Sequence, residues 1–160
     1  MNSPNSLQKR IHRFFVLKPV SAFLSKALHH ADALMLRLTA ERHTFTELVG
    51  LPIAQLRMIG AKTGKPRTLT LVCLPDADRL VLIATNFGQK HNPAWYYNLK
   101  AHPECKVEWN QRIETYNARE TSGDEYDKYW QFAVSYYGGY EKYKERAGRK
   151  IPVMLLQPKR

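Results

Sequence analysis

The sequence has few cysteines, no long apolar run and a shortage of acidic residues. Its two cysteines, Cys73 and Cys105, lie far apart and form no CxxC pair, so we expect buried thiols in a reducing compartment. No apolar stretch approaches the roughly 20 residues of a membrane span. The N-terminus has no secretory signal pattern. These absences predict a soluble, cytoplasmic protein, with membrane contact only at its surface.

Several catalytic signatures are also missing. The chain contains no GxSxG elbow, no HExxH helix, no GxGxxG loop and no strand motif of RNA-recognition domains. His91 has no second histidine or carboxylate at ligand spacing. The sequence therefore argues against a serine hydrolase, a zinc protease and a dinucleotide-binding dehydrogenase. We expect no metal site and no nucleic-acid partner.

The chain is instead strongly basic. It carries 25 Lys and Arg against 14 Asp and Glu, a formal net charge of +11. The excess is concentrated in residues 1–75, with 11 basic against 3 acidic residues. Such a segment favours an anionic partner, but charge alone does not choose between a nucleic acid, a lipid surface and an acidic small molecule.

The N-terminal part has helical periodicity. From Val20 onward apolar residues recur at helical spacing, which predicts an amphipathic helix in an extension covering residues 1–48. The stretch "KRIHRFFVLK" ahead of it mixes basic and apolar side chains. Such a segment either lies on an anionic membrane or packs on its own domain, and both alternatives stay open.

After Gly50 the pattern changes to short apolar runs bounded by turn residues. We predict about six strands, at 52–59, 68–74, 79–85, 105–109, 113–120 and 151–158. Three helices are expected at 92–103, capped by Asn92, and at 124–135 and 141–146. Without regular strand–helix alternation this indicates a mainly β, α+β fold. We expect one domain over 1–160, with the sheet in 50–158.

The stretch "GAKTGKPR" (60–67) looks like part of a phosphate-binding loop. It fails as a nucleotide-triphosphate loop, because only three residues separate its glycines and Pro66 follows Lys65. As a hairpin connection it is reasonable, since Gly60 and Gly64 permit unusual backbone angles. Lys62, Lys65 and Arg67 could also bind phosphate or carboxylate groups. The residues alone leave an anion site and a solvated turn equally open.

Two further stretches contain candidate functional residues. In "ATNFGQKHNPAWYYNLKAHP" a strand ends at Thr85 and Asn86, and a helix follows whose first N–H groups could attract an anion. Trp95 there either covers a flat ring or fills the core.

In "YYGGYEKYKERAG", Tyr137, Tyr140 and Tyr143 repeat every three residues. Their phenols either serve a developing oxyanion or simply pack with wet hydroxyls.

Taken in order, "GAKTGKPR", "LVLIATNFGQKHNPAWYYNLKAHP" and "YYGGYEKYKERAGRKIPVMLLQP" resemble the deazaflavin-dependent nitroreductase and quinone reductase family. The resemblance implies an antiparallel split β-barrel that uses coenzyme F-420, with FMN or FAD as the less favoured alternative. It implies that Tyr140 is catalytic, that Tyr137 and Tyr143 bind the acceptor, and that a further set binds the coenzyme. That set is Lys62, Lys65, Arg67, Thr85, Asn86, Ala94, Trp95 and Asn98.

The implied activity is hydride transfer from the reduced coenzyme to a planar acceptor such as a quinone, nitroaromatic or enone. Ala61 and Asn86 depart from the family pattern, which commonly has cationic residues at these positions, and Tyr137-Gly-Gly-Tyr140 replaces a common Tyr-Pro-Pro, which predicts a looser acceptor loop. These departures motivate an alternative, a non-catalytic split-barrel module that binds a lipid, a flavin or another planar anion. A monomer or a homodimer is expected.

Overall fold

A computed structural model provides the structure of the protein and describes residues 51–160. Seven strands form one antiparallel sheet: β1 Ile53–Ile59, β2 Pro66–Val72, β3 Leu74–Asp76, β4 Arg79–Ile83, β5 Glu104–Trp109, β6 Arg112–Glu120 and β7 Val153–Pro158. The helices are α1 Ala94–Ala101, α2 Gly123–Tyr136 and α3 Gly139–Ala147, with a short 3-10 helix at Asn86–Gly88. The predicted mainly β, α+β class is confirmed.

The strand order explains why the sheet curls. The order is β2-β1-β5-β6-β7-β4-β3, so β2 and β3 form its two edges. Yet only Cys73 separates β2 from β3 along the chain. The end of β2 must therefore lie next to the start of β3, which curls the sheet toward a barrel. The prediction of one strand over 68–74 was wrong for this reason, because the chain leaves one edge at Cys73 and joins the other.

The sheet separates two hydrophobic layers. One layer, called the inner cluster below, is a group of buried side chains that includes Leu56, Leu82 and Val107. In β7 the side chains of Met154 and Leu156 belong to the inner cluster, whereas Val153 and Leu155 pack with side chains of α2 and α3 on the other face. This alternation follows from the two-residue period of a strand. Because α1 contributes buried side chains to the inner cluster, it packs against the inner side of the sheet.

The predicted cap of the first helix needs a correction. Pro93 occupies the N-cap position with extended backbone angles of φ −67° and ψ 153°, and no side chain caps the helix. The proline ring allows these angles, so the helix begins one residue later, at Ala94. The Asn92 Oδ1 atom is buried instead, without a hydrogen-bond partner among the described residues.

The expected N-terminal helix and its basic segment lie outside the described residues. Within residues 51–160, no helix is both long and apolar enough to cross a membrane.

Candidate active site

The basic segment 60–67, called the basic turn below, consists of a tight turn at 60–65 between β1 and β2 and the first two residues of β2. All of its residues except Gly60 are exposed. The Gly60 N–H donates to the Lys65 carbonyl at 2.9 Å, and the Gly64 N–H donates to the Gly60 carbonyl at 2.8 Å. Gly64 has a φ of +63°, as expected for a glycine turn. Gly60 has no positive φ and is needed for space, since a Cβ there would lie 2.9 Å from Thr63 Oγ1.

The cations of this turn are exposed and available. Lys62, Lys65 and Arg67 are exposed, and within residues 51–160 no carboxylate forms an ion pair with any of them. The Arg67 side chain lies close to Gly60: its Nε is 3.5 Å from the position that a Cβ on Gly60 would take. Unpaired cations brought together by a closed turn are typical of a site for phosphate or carboxylate groups.

Helix α1 holds this turn in place. The Ala61 N–H donates a hydrogen bond to Asn98 Oδ1 at 2.9 Å. Asn98 is thereby placed beside the basic turn, and its side-chain oxygen supports the turn. Ala94 is exposed at the start of the same helix. Trp95 is only 7% exposed and packs in the inner cluster, which favours its core-filling alternative.

The loop between β4 and α1 has an uncommon backbone. Asn86, Phe87 and Gly88 have consecutive positive φ values of 48°, 55° and 79°. A left-handed conformation costs roughly 1–2 kcal/mol per non-glycine residue, and such strain is often found at functional sites. Asn86 stabilises the loop locally, since its Nδ2 lies 3.1 Å from His91 Nδ1 and 3.2 Å from the His91 carbonyl oxygen. Thr85, just before the left-handed segment, is buried.

Helix α3 packs directly on this loop. The Phe87 ring meets the Tyr143 ring edge-on, with centroids 6.4 Å apart. Gly88 lies so close to the helix that a Cβ would be 3.0 Å from Arg146 Cδ and 3.2 Å from the Tyr143 carbonyl oxygen. Position 88 therefore requires glycine, both for its positive φ and because a side chain there would clash with α3. The loop thus connects α1, beside the basic turn, to the tyrosine helix.

The three tyrosines form one buried cluster. Tyr137 packs edge-on against Tyr140 with ring centroids 5.3 Å apart, and lies 6.1 Å from Tyr143. Each is only 6% exposed. The Tyr137 and Tyr143 hydroxyls hydrogen-bond to each other. The structure therefore brings the three side chains together.

Burial keeps these phenols protonated. Removal from water raises the pKa of Tyr140 above its ordinary value of 10.0, and nearby Tyr143 and Cys73 add to the shift. The pKa of Tyr137 is also raised by burial, and next by Tyr143. Burial raises the pKa of Tyr143, while the hydrogen bond with Tyr137 and the charge of Arg146 oppose that rise. At neutral pH all three can donate a proton or a hydrogen bond.

The Gly138-Gly139 pair does not form the loose acceptor loop that the sequence suggested. Gly138 is the N-cap of α3 with a φ of −60°, and Gly139 is the first residue of the helix. The Tyr137 ring folds over Gly139, where a Cβ would lie 2.5 Å from the Tyr137 hydroxyl oxygen and closer still to ring carbons Cζ and Cε1. Gly139 is therefore required by its contact with Tyr137.

We expect Gly139→Ala to displace the Tyr137 ring and to destabilise the protein by about 1–3 kcal/mol, as overpacked cores do. At this chain length each kcal/mol lowers the Tm by about 2–4 °C. Gly138→Ala is the matched control, because among the described residues no atom beyond its two chain neighbours lies within 4 Å of its added Cβ. Thermal unfolding followed by near-UV circular dichroism measures both variants. Equal Tm values for the two would contradict the packing role of Gly139.

Sequence reasoning missed Arg146 and Arg149, two arginines of the described residues that contact this loop. Arg149 donates hydrogen bonds to four loop carbonyls, those of Ala84, Thr85, Gln89 and His91. Arg146 lies 3.5 Å from the Phe87 carbonyl oxygen through Nη1 and packs over the Tyr143 ring. Their only signal in the sequence was a cluster of basic residues at the end of a helix, and such residues usually face solvent.

Together these features define an antiparallel barrel protein with an exposed basic turn and a cluster of buried tyrosines. The chain belongs to the F420H(2)-dependent quinone reductase family, whose sequence model matches residues 30–158. An F420H(2)-dependent quinone reductase of Mycobacterium tuberculosis is 32% identical over 108 residues, covering 66% of this chain and 72% of that protein.

Solved structures agree with this membership. An F420-H2 dependent reductase, FDR-A, superposes with a TM-score of 0.61 at 32% identity, covering 66% of this chain and 94% of that one. A protein described as a domain-swapped dimer superposes with a TM-score of 0.63 at 28% identity, covering 78% and 95%. The split-barrel fold and the family resemblance are therefore confirmed. The chain is an oxidoreductase of a family named for its dependence on coenzyme F-420.

The described residues suit that coenzyme. Its phosphate and acidic tail require cations, and Lys62, Lys65 and Arg67 are exposed and have no competing carboxylate in residues 51–160, so they fit that requirement. Its flat ring system also carries polar edges. Asn92 Oδ1 is a buried acceptor next to the left-handed loop, without a partner among the described residues, and could take a hydrogen bond.

Proposed function

We propose that this protein reduces a quinone, or another planar acceptor such as a nitroaromatic or enone, with reduced coenzyme F-420 as hydride donor. Family membership supports the reaction class and does not favour the non-catalytic module. The observation that carries the residue assignment is continuity of contact. The basic turn touches α1 through Asn98, the loop before α1 touches α3 through Phe87, and α3 carries the tyrosines.

In this proposal Lys62, Lys65 and Arg67 hold the phosphate and carboxylates of the coenzyme. Thr85, Asn86, Ala94, Trp95 and Asn98 belong to the segments that position its ring. The bound coenzyme supplies the hydride, and the protein supplies position and electrostatics.

Tyr140 is proposed to donate a hydrogen bond or a proton to the acceptor oxygen, while Tyr137 and Tyr143 bind the acceptor. Reduction of a quinone to the hydroquinone takes one hydride and one proton. A phenol kept neutral by burial is a suitable donor. The low exposure of the cluster also excludes water, which strengthens each hydrogen bond made there.

A fluorescence titration of the purified protein with coenzyme F-420, FMN and FAD in parallel tests this proposal. We expect micromolar or tighter binding of F-420 alone, followed by menadione reduction when the reduced coenzyme is supplied. Selective binding of FMN or FAD would change the hydride carrier. Binding of none would reject the proposal and return the non-catalytic module to consideration.

The assembly state and the cellular location remain predictions. A relative was solved as a domain-swapped dimer, so size-exclusion chromatography with light scattering is the direct test of monomer against homodimer. Nothing in the described part of the chain supports the membrane contact expected for the N-terminal segment.

A further inference from the structure

Arg149 is bound almost entirely by backbone carbonyls. Its Nη2 lies 3.1 Å from the Ala84 oxygen, 3.4 Å from the Thr85 oxygen and 3.1 Å from the His91 oxygen. Its Nε donates to the Gln89 oxygen at 3.1 Å, and Nη1 donates to the Lys150 oxygen at 3.3 Å. One guanidinium group therefore bridges both ends of the loop 84–91.

The chain around Arg149 fixes its direction. Gly148 ends α3 with a left-handed φ of 60°, and its N–H donates to the Lys144 oxygen at 3.2 Å. Three residues after Arg149, the Pro152 carbonyl accepts a hydrogen bond from the Ala84 N–H at 2.9 Å. Arg149 is thus held between a helix end and a strand that is already joined to the loop.

The loop needs such a partner. Asn86 and Phe87 adopt left-handed angles that cost free energy, and a strained loop persists only where its surroundings determine it. The loop carbonyls bound by Arg149 lie on both sides of this segment. A planar five-donor fork can serve several carbonyls at fixed angles, which the single ammonium group of lysine cannot reproduce.

The charge of Arg149 is also unusual. No carboxylate among residues 51–160 forms an ion pair with it. Removal from water lowers its pKa somewhat, so carbonyl dipoles rather than an acid stabilise the cation. A carboxylate partner would neutralise the region next to the proposed coenzyme loop, whereas carbonyls leave its positive charge in place.

We propose that Arg149 is a positioning residue that locks the loop 84–91 in its left-handed conformation and thereby sets the affinity for the anionic coenzyme. This inference rests on the proposed function, because the loop carries Thr85 and Asn86. It assigns Arg149 no direct contact with the coenzyme. The arginine acts through the shape of the loop.

Arg149→Lys and Arg149→Gln test the lock, with Arg119→Lys as the matched control. Arg119 also makes several side-chain hydrogen bonds, to Glu125 and Gln157, but does not touch the loop. Hydrogen exchange of the coenzyme-free protein reports on the loop without any ligand. Fluorescence titration with coenzyme F-420 then gives the Kd of each variant.

We expect both Arg149 variants to speed amide exchange about tenfold or more in peptides covering 84–93, with β5 and β6 unchanged. The Kd for coenzyme F-420 should rise about tenfold in both, and Arg119→Lys should match wild type in both readouts. Wild-type exchange and affinity in Arg149→Lys would overturn the lock, because charge alone would then suffice. Faster exchange throughout the sheet would show a general structural role and overturn it too.

A faster-exchanging loop with unchanged Kd would reject the link to the coenzyme. If the wild-type protein itself bound no coenzyme F-420, the proposed function would fail, and this link would fail with it. The exchange data would still decide whether Arg149 locks the loop. The two failures are therefore distinguishable.

Discussion

Replacing Lys62 and Arg67 together by alanine is expected to raise the Kd for coenzyme F-420 about 100-fold. Both side chains are exposed on the closed turn 60–67 and have no carboxylate partner within residues 51–160. A hydrogen bond to a charged group contributes about 1.5–3 kcal/mol, and 1.4 kcal/mol corresponds to a factor of ten. Exposure reduces each contribution to the lower end of that range. Fluorescence titration at fixed ionic strength measures the change.

The matched control replaces Arg57 and Lys106 by alanine. These two residues lie opposite each other on β1 and β5, and both are exposed. Their replacement removes the same positive charge as the replacement of Lys62 and Arg67. Arg57 has an exposed ion pair with Glu108 at 3.0 Å, whose loss costs about 0–1 kcal/mol. The control should bind coenzyme F-420 like wild type. Equal weakening in both double variants would mean that net charge attracts the coenzyme, and that the turn is not its site.

Salt dependence gives an independent readout of the same contacts. Charge pairs near the surface are screened over a Debye length of about 10 Å at 0.1 M salt. Wild-type affinity should therefore fall with added salt, and the variant lacking Lys62 and Arg67 should respond less steeply. The variant lacking Arg57 and Lys106 should keep the wild-type slope.

Most of the sheet could be predicted from the sequence, because strand residues alternate between two buried layers. The run 151–158 contains Val153, Met154, Leu155 and Leu156 in succession, which is typical of a strand covered on both faces. The break at Cys73 could not be predicted. Every residue from 68 to 74 is compatible with a strand, and the break follows from barrel closure, which depends on pairing far along the chain.

The roles of particular residues were harder to predict, because their partners are distant in sequence. Arg149 binds carbonyl oxygens about sixty residues earlier, and every residue has a carbonyl, so no pattern marks the interaction. Gly139 reads as a flexible residue, yet its neighbour Tyr137 excludes any side chain there. The basic turn was recognisable, since cations in a glycine turn suggest an anion site. Its attachment to Asn98 required the structure.

The second large effect is expected for Tyr140→Phe, which should lower kcat for quinone reduction about 100-fold. A positioned proton donor typically contributes 10²–10⁴-fold, and the phenylalanine ring keeps the packing against Tyr137. The Kd for coenzyme F-420 should not change, because the proposed role concerns the acceptor. Steady-state turnover with menadione and the titration measure the two quantities separately.

Tyr126→Phe is the matched control for Tyr140→Phe. Both tyrosines are 6% exposed, and the Tyr126 hydroxyl is buried without a partner among the described residues, so its removal should leave kcat unchanged. Tyr143→Phe tests whether Tyr143 is the proton donor instead, since the Tyr143 ring contacts Phe87 of the loop. If Tyr143→Phe abolished turnover while Tyr140→Phe did not, the proton donor would be Tyr143.

The pH dependence should agree with a buried neutral phenol. Burial raises the pKa of Tyr140 above the ordinary value of 10.0, so its proton is retained and turnover should show no alkaline loss from this group up to pH 10.0. The sign for stability follows from the same shift. The neutral phenol contributes fully below the unfolded pKa, and this contribution is lost as the pH rises toward the folded value. Wild type should therefore lose more stability above pH 10.0 than Tyr140→Phe, because the variant has no phenol at this position to ionise on unfolding.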